Sequence, residues 1–296
     1  MAQAGRLDFS GWVQRRKNFD TGDGGGERGY AYVADRQTRA AFEALRPVQL
    51  AAEAAVRSLK AVGGNELLGN AVKVGPRQFP RIHSLVSSCA ESLGIPVPTV
   101  YIRANPVINA GTYGTNDDAF IVVHSGLVDH CSDEELRSVL GHECGHIHNS
   151  HVVYLTTLYY LTAGVGTFVG WFIRPAIVAL NAWSRRAEVT ADRASLLCVK
   201  NPEAATRSLT KLALGSQKLY EQLDVEAFLE QHEESQKGVG RLNELFATHP
   251  WLPKRVLSLR IFEQSRFYRR RAGLGDDGLS MEEVDDKVQE IVKVVG

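Results

Sequence analysis

No surplus of either charge marks this chain: 34 lysines and arginines balance 34 aspartates and glutamates over 296 residues. Nucleic-acid binding, which relies on a basic excess to neutralise phosphates, is therefore not expected. No CxxC pair occurs, and the four cysteines, Cys89, Cys131, Cys144 and Cys198, stand far apart. That spacing disfavours a disulfide framework or a zinc ribbon and fits reduced thiols in a cytoplasmic protein. The opening MAQAGRLDFSGWVQRRKNFD lacks the apolar core of a signal peptide, so nothing points to export. Internal repeats and low-complexity tracts are missing as well.

What is present is ample apolar material, 44% of the residues, enough for a sizeable core. Residues 1–29 end in the glycine-rich TGDGGGERG and read as a flexible lead-in. Residues 30–271 read as a single domain, and 272–296 as the linker AGLGDDGL followed by an amphipathic helix. Helical periodicity runs from Asp35 to Val62, broken near Pro47. It returns from Phe79 to Leu93, where Ile82, Leu85, Val86, Cys89 and Leu93 share one side. VPTVYIRA and DAFIVVHSGLV read as strands of a small sheet. Ser132 and Glu135 form a capping box before a helix whose buried stripe is Leu136, Val139, Leu140 and Ile147. SRRAEVTADRASLLCVK, after Trp183, reads as another helix, and Ser280 with Glu283 caps the tail. The expected fold class is mainly α with a small β-sheet, α+β.

The helix opened by Ser132 carries GHECGHIHNSH, in which His142, Glu143 and His146 make HExxH. Side chains four apart on a helix lie one turn above each other, so both imidazoles can share one metal ion. Glu143 lies about 100° round the helix, placed to take a proton from an attacking water. Catalytic zinc needs a third protein ligand on a facing element. Glu188 is the candidate. Asp192, one turn beyond it, could accept a hydrogen bond from the free ring N–H of a ligand histidine.

Four stretches together are similar to one peptidase family, that of the type I CAAX prenyl protease and the HtpX-type heat-shock membrane protease. SRRAEVTADR resembles its S-R-x-x-E-x-x-A-D segment. NAGTYG, Asn109 to Gly114, resembles its N-A-x-x-x-G element. DEELRSVLGHECGHIHNSH is similar to E-L-x-x-V-L-x-H-E-x-G-H-I-x-x-x-H, and THPWLPKRVLSLR to its H-P-x-x-x-x-R signature. The likeness covers about Asp35 to Arg260. It implies a metalloendopeptidase with one Zn2+ per chain on His142, His146 and Glu188, with Glu143 as general base and Asp192 bonding a ligand histidine. It further implies that His249 lies near the cleft as an oxyanion donor braced by Arg255. Asn109, Ala110, Gly111, Thr112, Tyr113 and Gly114 would form the cleft's edge strand, on which a peptide or protein substrate lies. Quality control of damaged or membrane-associated protein is the biological setting that the family implies. His148, His151 and Cys144 read as structural.

The membrane-spanning relatives carry apolar spans upstream that this chain lacks. Val152 to Ile173 is uncharged for 22 residues, long enough to cross a bilayer. One crossing, at about 1.5 Å per residue, would leave Glu188 on the far side from His142 and His146. Two crossings need about 40 residues, all of the chain between His146 and Glu188. Residues 152–183 therefore read as a helical hairpin turning near Ala163–Gly166. Either it is buried, or its tip makes peripheral contact with a membrane or a second subunit. Two rivals to a working cytoplasmic endopeptidase stand: a latent or inactive zinc-stabilised scaffold, self-inhibited by 280–295, and a membrane-associated prenyl-protein protease.

Overall fold

The computed structural model describes residues 29–44, 69–162, 166–235 and 251–293. These are mainly helical around one four-stranded mixed sheet, the class that the sequence implies. Helix α1 (Val33–Ala44) is the described part of the first helical run, whose remainder lies outside the described residues. Strand β1 (Ala71–Lys73) precedes helix α2 (Pro80–Leu93), which starts one residue later than expected because Phe79 turns into the left-handed region, φ 60°, as its cap. Strands β2 (Thr99–Arg103), β3 (Ala110–Gly114) and β4 (Ala119–His124) complete a sheet of order β1-β2-β4-β3. The parallel pair β2/β4 lies at the centre, with antiparallel strands on both sides. Ile121 and Val123 of β4 are wholly buried, and β3 is left at an edge.

Helix α3 (Ser125–His130) leads into α4 (Asp133–His148), the HExxH helix. Both bonds of its capping box are made: Ser132 Oγ accepts from the Glu135 N–H at 3.3 Å, and Glu135 Oε2 from the Ser132 N–H at 2.8 Å. Leu136, Val139, Leu140 and Cys144 form its buried stripe, whereas Ile147, expected in that stripe, is only half-buried at the margin of the core. Helices α5 (Val152–Tyr160) and α6 (Gly166–Val199) pack on each other as the arms of the expected hairpin, and residues 163–165 between them lie outside the described residues. The uncharged arm and the Glu188 segment thus belong to one continuous helix about 50 Å long, which passes through Pro175. Val153, Tyr154, Trp183 and Ala187 bury the base of the hairpin, while Tyr159 and Val178 are exposed farther out. Among the described residues no helix is long and apolar enough to cross a membrane.

From Ala187 to Val199 every residue of α6 is buried, so this stretch is the axis of the molecule. Helix α4 makes its most extensive contact with it. Two glycines allow that approach. A Cβ at Gly141 would stand 2.7 Å from Cys198 Cβ, and one at Gly145 would stand 2.6 Å from Ala194 Cβ and 3.1 Å from Ala191 Cα. Gly145→Ala should therefore lose about 1–3 kcal/mol in chemical denaturation despite alanine's better helix propensity. Adding Ala194→Gly, which moves the methyl group to the other helix, should restore part of the loss.

Helices α7 (Pro202–Leu214), α8 (Gln217–Tyr220) and α9 (Val225–Ser235) follow, then α10 (Leu252–Glu263), α11 (Arg266–Ala272) and α12 (Met281–Val292). The tail helix α12 packs on α10 and sinks Val284 and Val288 into the main core.

Candidate metal centre

Helix α4 lays His142 and His146 one turn apart, and α6 brings Glu188 against both. The two Nε2 atoms are 3.1 Å apart; Glu188 Oε2 is 3.4 Å from His142 Nε2, and Oε1 is 3.6 Å from His146 Nε2. An ion holding ligands in a tetrahedron at about 2.0–2.1 Å keeps them roughly 3.3 Å apart, so this donor set has the size that zinc requires. Its chemistry also fits: nitrogen, nitrogen and carboxylate oxygen are the ligand types of a catalytic zinc site. The His142 side chain keeps 14% of its exposure against 4% for His146 and 2% for Glu188, so the site opens on the His142 side.

Asp192 holds the outer ring atom of His142, Oδ1 accepting from Nδ1–H at 3.0 Å, which leaves Nε2 bare in the neutral ring. Arg255 clamps Asp192 from the other side, with Nε on Oδ2 at 2.8 Å and Nη2 on Oδ1 at 2.7 Å, and also reaches Glu188 Oε2 at 3.1 Å. Burial alone would raise the pKa of Asp192, but the Arg255 guanidinium outweighs it and holds the carboxyl below its usual range. Burial disfavours a charged His142 ring, yet Glu188 and Asp192 overcome this and push its pKa up to about 10. For His146 burial prevails and the pKa falls. The negative field that would hold a proton on His142 also attracts a metal cation, which takes the proton's place.

Glu143 sits beside this cluster, 6% exposed, and its Oε2 accepts from Thr112 Oγ1 at 2.5 Å. Thr112 belongs to the edge strand β3, so the sheet and the metal helix are joined at the carboxylate. The strand itself is Ala110–Gly114; Asn109 stands just before it, its carbonyl accepting the His124 N–H at 3.0 Å. Asn109 faces His124 in this way and Thr115 exchanges both bonds with Asp118, so alternate residues point their backbone groups at β4. Ala110, Thr112 and Gly114 point theirs at the open edge. Of these, the Gly114 N–H is taken by Thr156 Oγ1 at 3.1 Å. Gly114 has φ +112°, and a Cβ there would lie 2.2 Å from Asp118 O.

A family model described as "Peptidase family M48" matches residues 76–262. The chain belongs to peptidase family M48. Among its relatives, "Plastoglobule-localized metallopeptidase 48, chloroplastic" of Arabidopsis thaliana is 40% identical over 170 residues, covering 56% of this chain and 49% of the relative. A "Protease HtpX homolog" of Moorella thermoacetica is 29% identical over 239 residues, 68% of this chain and 78% of the relative. Another from Methanothermobacter thermautotrophicus is 31% identical over 170 residues, 50% of this chain and 65% of the relative. The chain thus spans about half the length of the plastoglobule relative. No solved structure matches it.

In this chain of peptidase family M48, the cluster of His142, His146 and Glu188 suits a zinc ion. His249 lies outside the described residues; the partners that the structure gives Arg255 are Asp192 and Glu188. His148 and Cys144 point away from the cluster: His148 Nδ1 meets Tyr30 Oη at 2.9 Å, and Cys144 is wholly buried. His151 does not. Its Nδ1 is 3.0 Å from His146 Nδ1, and its Nε2 is 3.0 Å from Asp35 Oδ2. His151 is the last histidine of the H-E-x-G-H-I-x-x-x-H stretch, but the pattern gives neither contact.

Proposed function

We propose that this chain is a zinc-dependent endopeptidase in which His142, His146 and Glu188 hold one zinc ion. The observation that carries this is the convergence of two Nε2 atoms and one carboxylate at spacings of 3.1–3.6 Å, with a second carboxylate, Glu143, alongside. Zinc, when bound, supplies Lewis acidity for peptide hydrolysis. Glu143 acts as general base: it removes the proton of the attacking water and returns it to the departing amine. The Thr112 hydroxyl fixes the carboxylate by bonding one oxygen, which leaves the other for the proton. Asp192 and Arg255 hold His142 and Glu188 in place. The substrate lies extended along β3, pairing with the backbone groups of Ala110 and Thr112, with Thr156 closing the run at Gly114. Among known activities this is the chemistry of the HtpX-named relatives, and proteins are the substrates it fits.

Metal content and casein cleavage of the purified chain test this reading. One zinc per chain is expected, with cleavage lost on chelation and restored by added zinc. A chain that binds zinc without cleaving would instead be the zinc-stabilised scaffold, and one that binds none would overturn the reading.

A further inference from the structure

His146 is held from behind by a buried relay that starts in the N-terminal segment. His146 Nε2 faces the metal cluster, and its Nδ1 lies 3.0 Å from His151 Nδ1. The opposite edge of His151, Nε2, lies 3.0 Å from Asp35 Oδ2 in α1. Asp35 also accepts from Thr190 Oγ1 at 2.7 Å and, through Oδ1, from Trp183 Nε1 at 3.0 Å, both on α6. His151, Thr190 and Trp183 are wholly buried and Asp35 is 1% exposed, so water cannot substitute for any of these bonds.

The polarity of the relay follows from Asp35. Trp183 Nε1 can only donate, so the carboxylate is an acceptor on that side. Thr190 Oγ1 accepts the Tyr32 N–H at 3.1 Å and so turns its own proton to Asp35 Oδ2, which makes the carboxylate an acceptor on both oxygens. Such an acceptor requires His151 to present Nε2–H. A neutral His151 then offers a bare Nδ1, and His146 must donate Nδ1–H to it. That leaves Nε2 of His146 as a lone pair directed at the cluster. The backbone is bent to achieve this: Ser150 sits in the left-handed region at φ 61°, and the His151 N–H closes on His146 O at 3.0 Å.

We propose that Asp35 and His151 are positioning residues for His146, so that a segment upstream of the peptidase-family match completes the metal centre. The relay sets the ring tautomer that binds metal, as Asp192 does for His142. The inference rests on the assignment of His146 as a ligand, and its test must separate the two.

Asp35→Asn keeps the shape and spoils the polarity. With its oxygen toward His151, the amide N–H₂ collides with the Trp183 donor. With its nitrogen there, His151 is driven to the opposite tautomer and His146 Nε2 acquires the proton. Zinc affinity, measured by chelator competition, should fall about 10–100-fold, and the visible spectrum of the cobalt-substituted protein should change. A folded variant with wild-type affinity and spectrum would overturn the relay. Should Asp35→Asn fail to fold, the wild-type protein carries the test by itself. Long-range 1H–15N correlation on the zinc-loaded chain should show His151 protonated at Nε2 and His146 at Nδ1, and the reverse for His151 overturns the proposal. A wild-type chain that binds no zinc would instead sink the ligand assignment, a distinguishable failure.

Discussion

Replacing Glu143 with glutamine is expected to lower casein cleavage by about 10²–10⁴-fold, the usual contribution of a general base, while one zinc stays bound per chain. Glutamine has the size of glutamate and its Oε1 can still accept the Thr112 hydroxyl, so the joint between β3 and the metal helix survives. None of the three clustered atoms of His142, His146 and Glu188 is touched. What disappears is the ability to take up a proton. The variant therefore isolates proton transfer from metal binding, which removal of a histidine cannot do. Zinc retained with cleavage lost is the outcome expected of a general base. Cleavage within threefold of wild type would mean that the proton goes elsewhere, and Glu143 would have to be reassigned. Loss of both zinc and cleavage would point to a collapsed site rather than a missing base.

How much of this centre was legible in the chain depended on how local each cause was. The HExxH helix, its capping box and the third-ligand segment are short-range patterns, readable because helical spacing fixes which side chains share a face. The edge position of β3 depends on how the strands are ordered, and only the resemblance pointed to it. Thr112 is legible as strand only through the resemblance, and not as the partner of Glu143, because that bond is made between elements. Asp35 was not legible at all: no motif surrounds it, and His151 is 116 positions away. Gly145 reads locally as a weak point in a helix, and only Ala194 on the facing helix explains it. The second arm of the hairpin reads as running into the Glu188 helix, but the burial of Ala187 to Val199 is not legible: these residues look polar, and their charges are met by Arg255, His142 and Asp285.

The sequence marks the tail as an amphipathic helix without showing what it covers, and here the strongest stability effect is expected. Arg193 of α6 is 1% exposed; its Nη1 reaches Asp285 Oδ1 of α12 at 2.7 Å and the Tyr30 carbonyl at 3.1 Å. The guanidinium stacks over the rings of Tyr32 and Phe262 at 5.4 and 5.3 Å. Asp285 in turn accepts the Val33 N–H at 3.1 Å, and Tyr32 Oη donates to Gln289. The N-terminal segment, the ligand helix and the tail thus meet at one buried ion pair. Asp285→Ala strands the guanidinium away from water without its anion, and should cost about 3–5 kcal/mol in denaturant unfolding. Arg193→Met should cost a similar amount by stranding the carboxylate. The double variant Arg193→Met/Asp285→Leu should lose much less than the sum, because no unpaired charge remains. Additive losses would show that the two groups do not act as a pair. The same contacts bear on self-inhibition by 280–295. Were the tail only a plug, removing residues 272–296 would raise activity. With Asp285, Val284 and Val288 removed from under α1 and α10, truncation should instead unfold the chain or weaken its zinc site. Asp285→Ala provides the gentler comparison: a destabilised protein with no gain in cleavage supports a structural tail, and a gain would restore the plug.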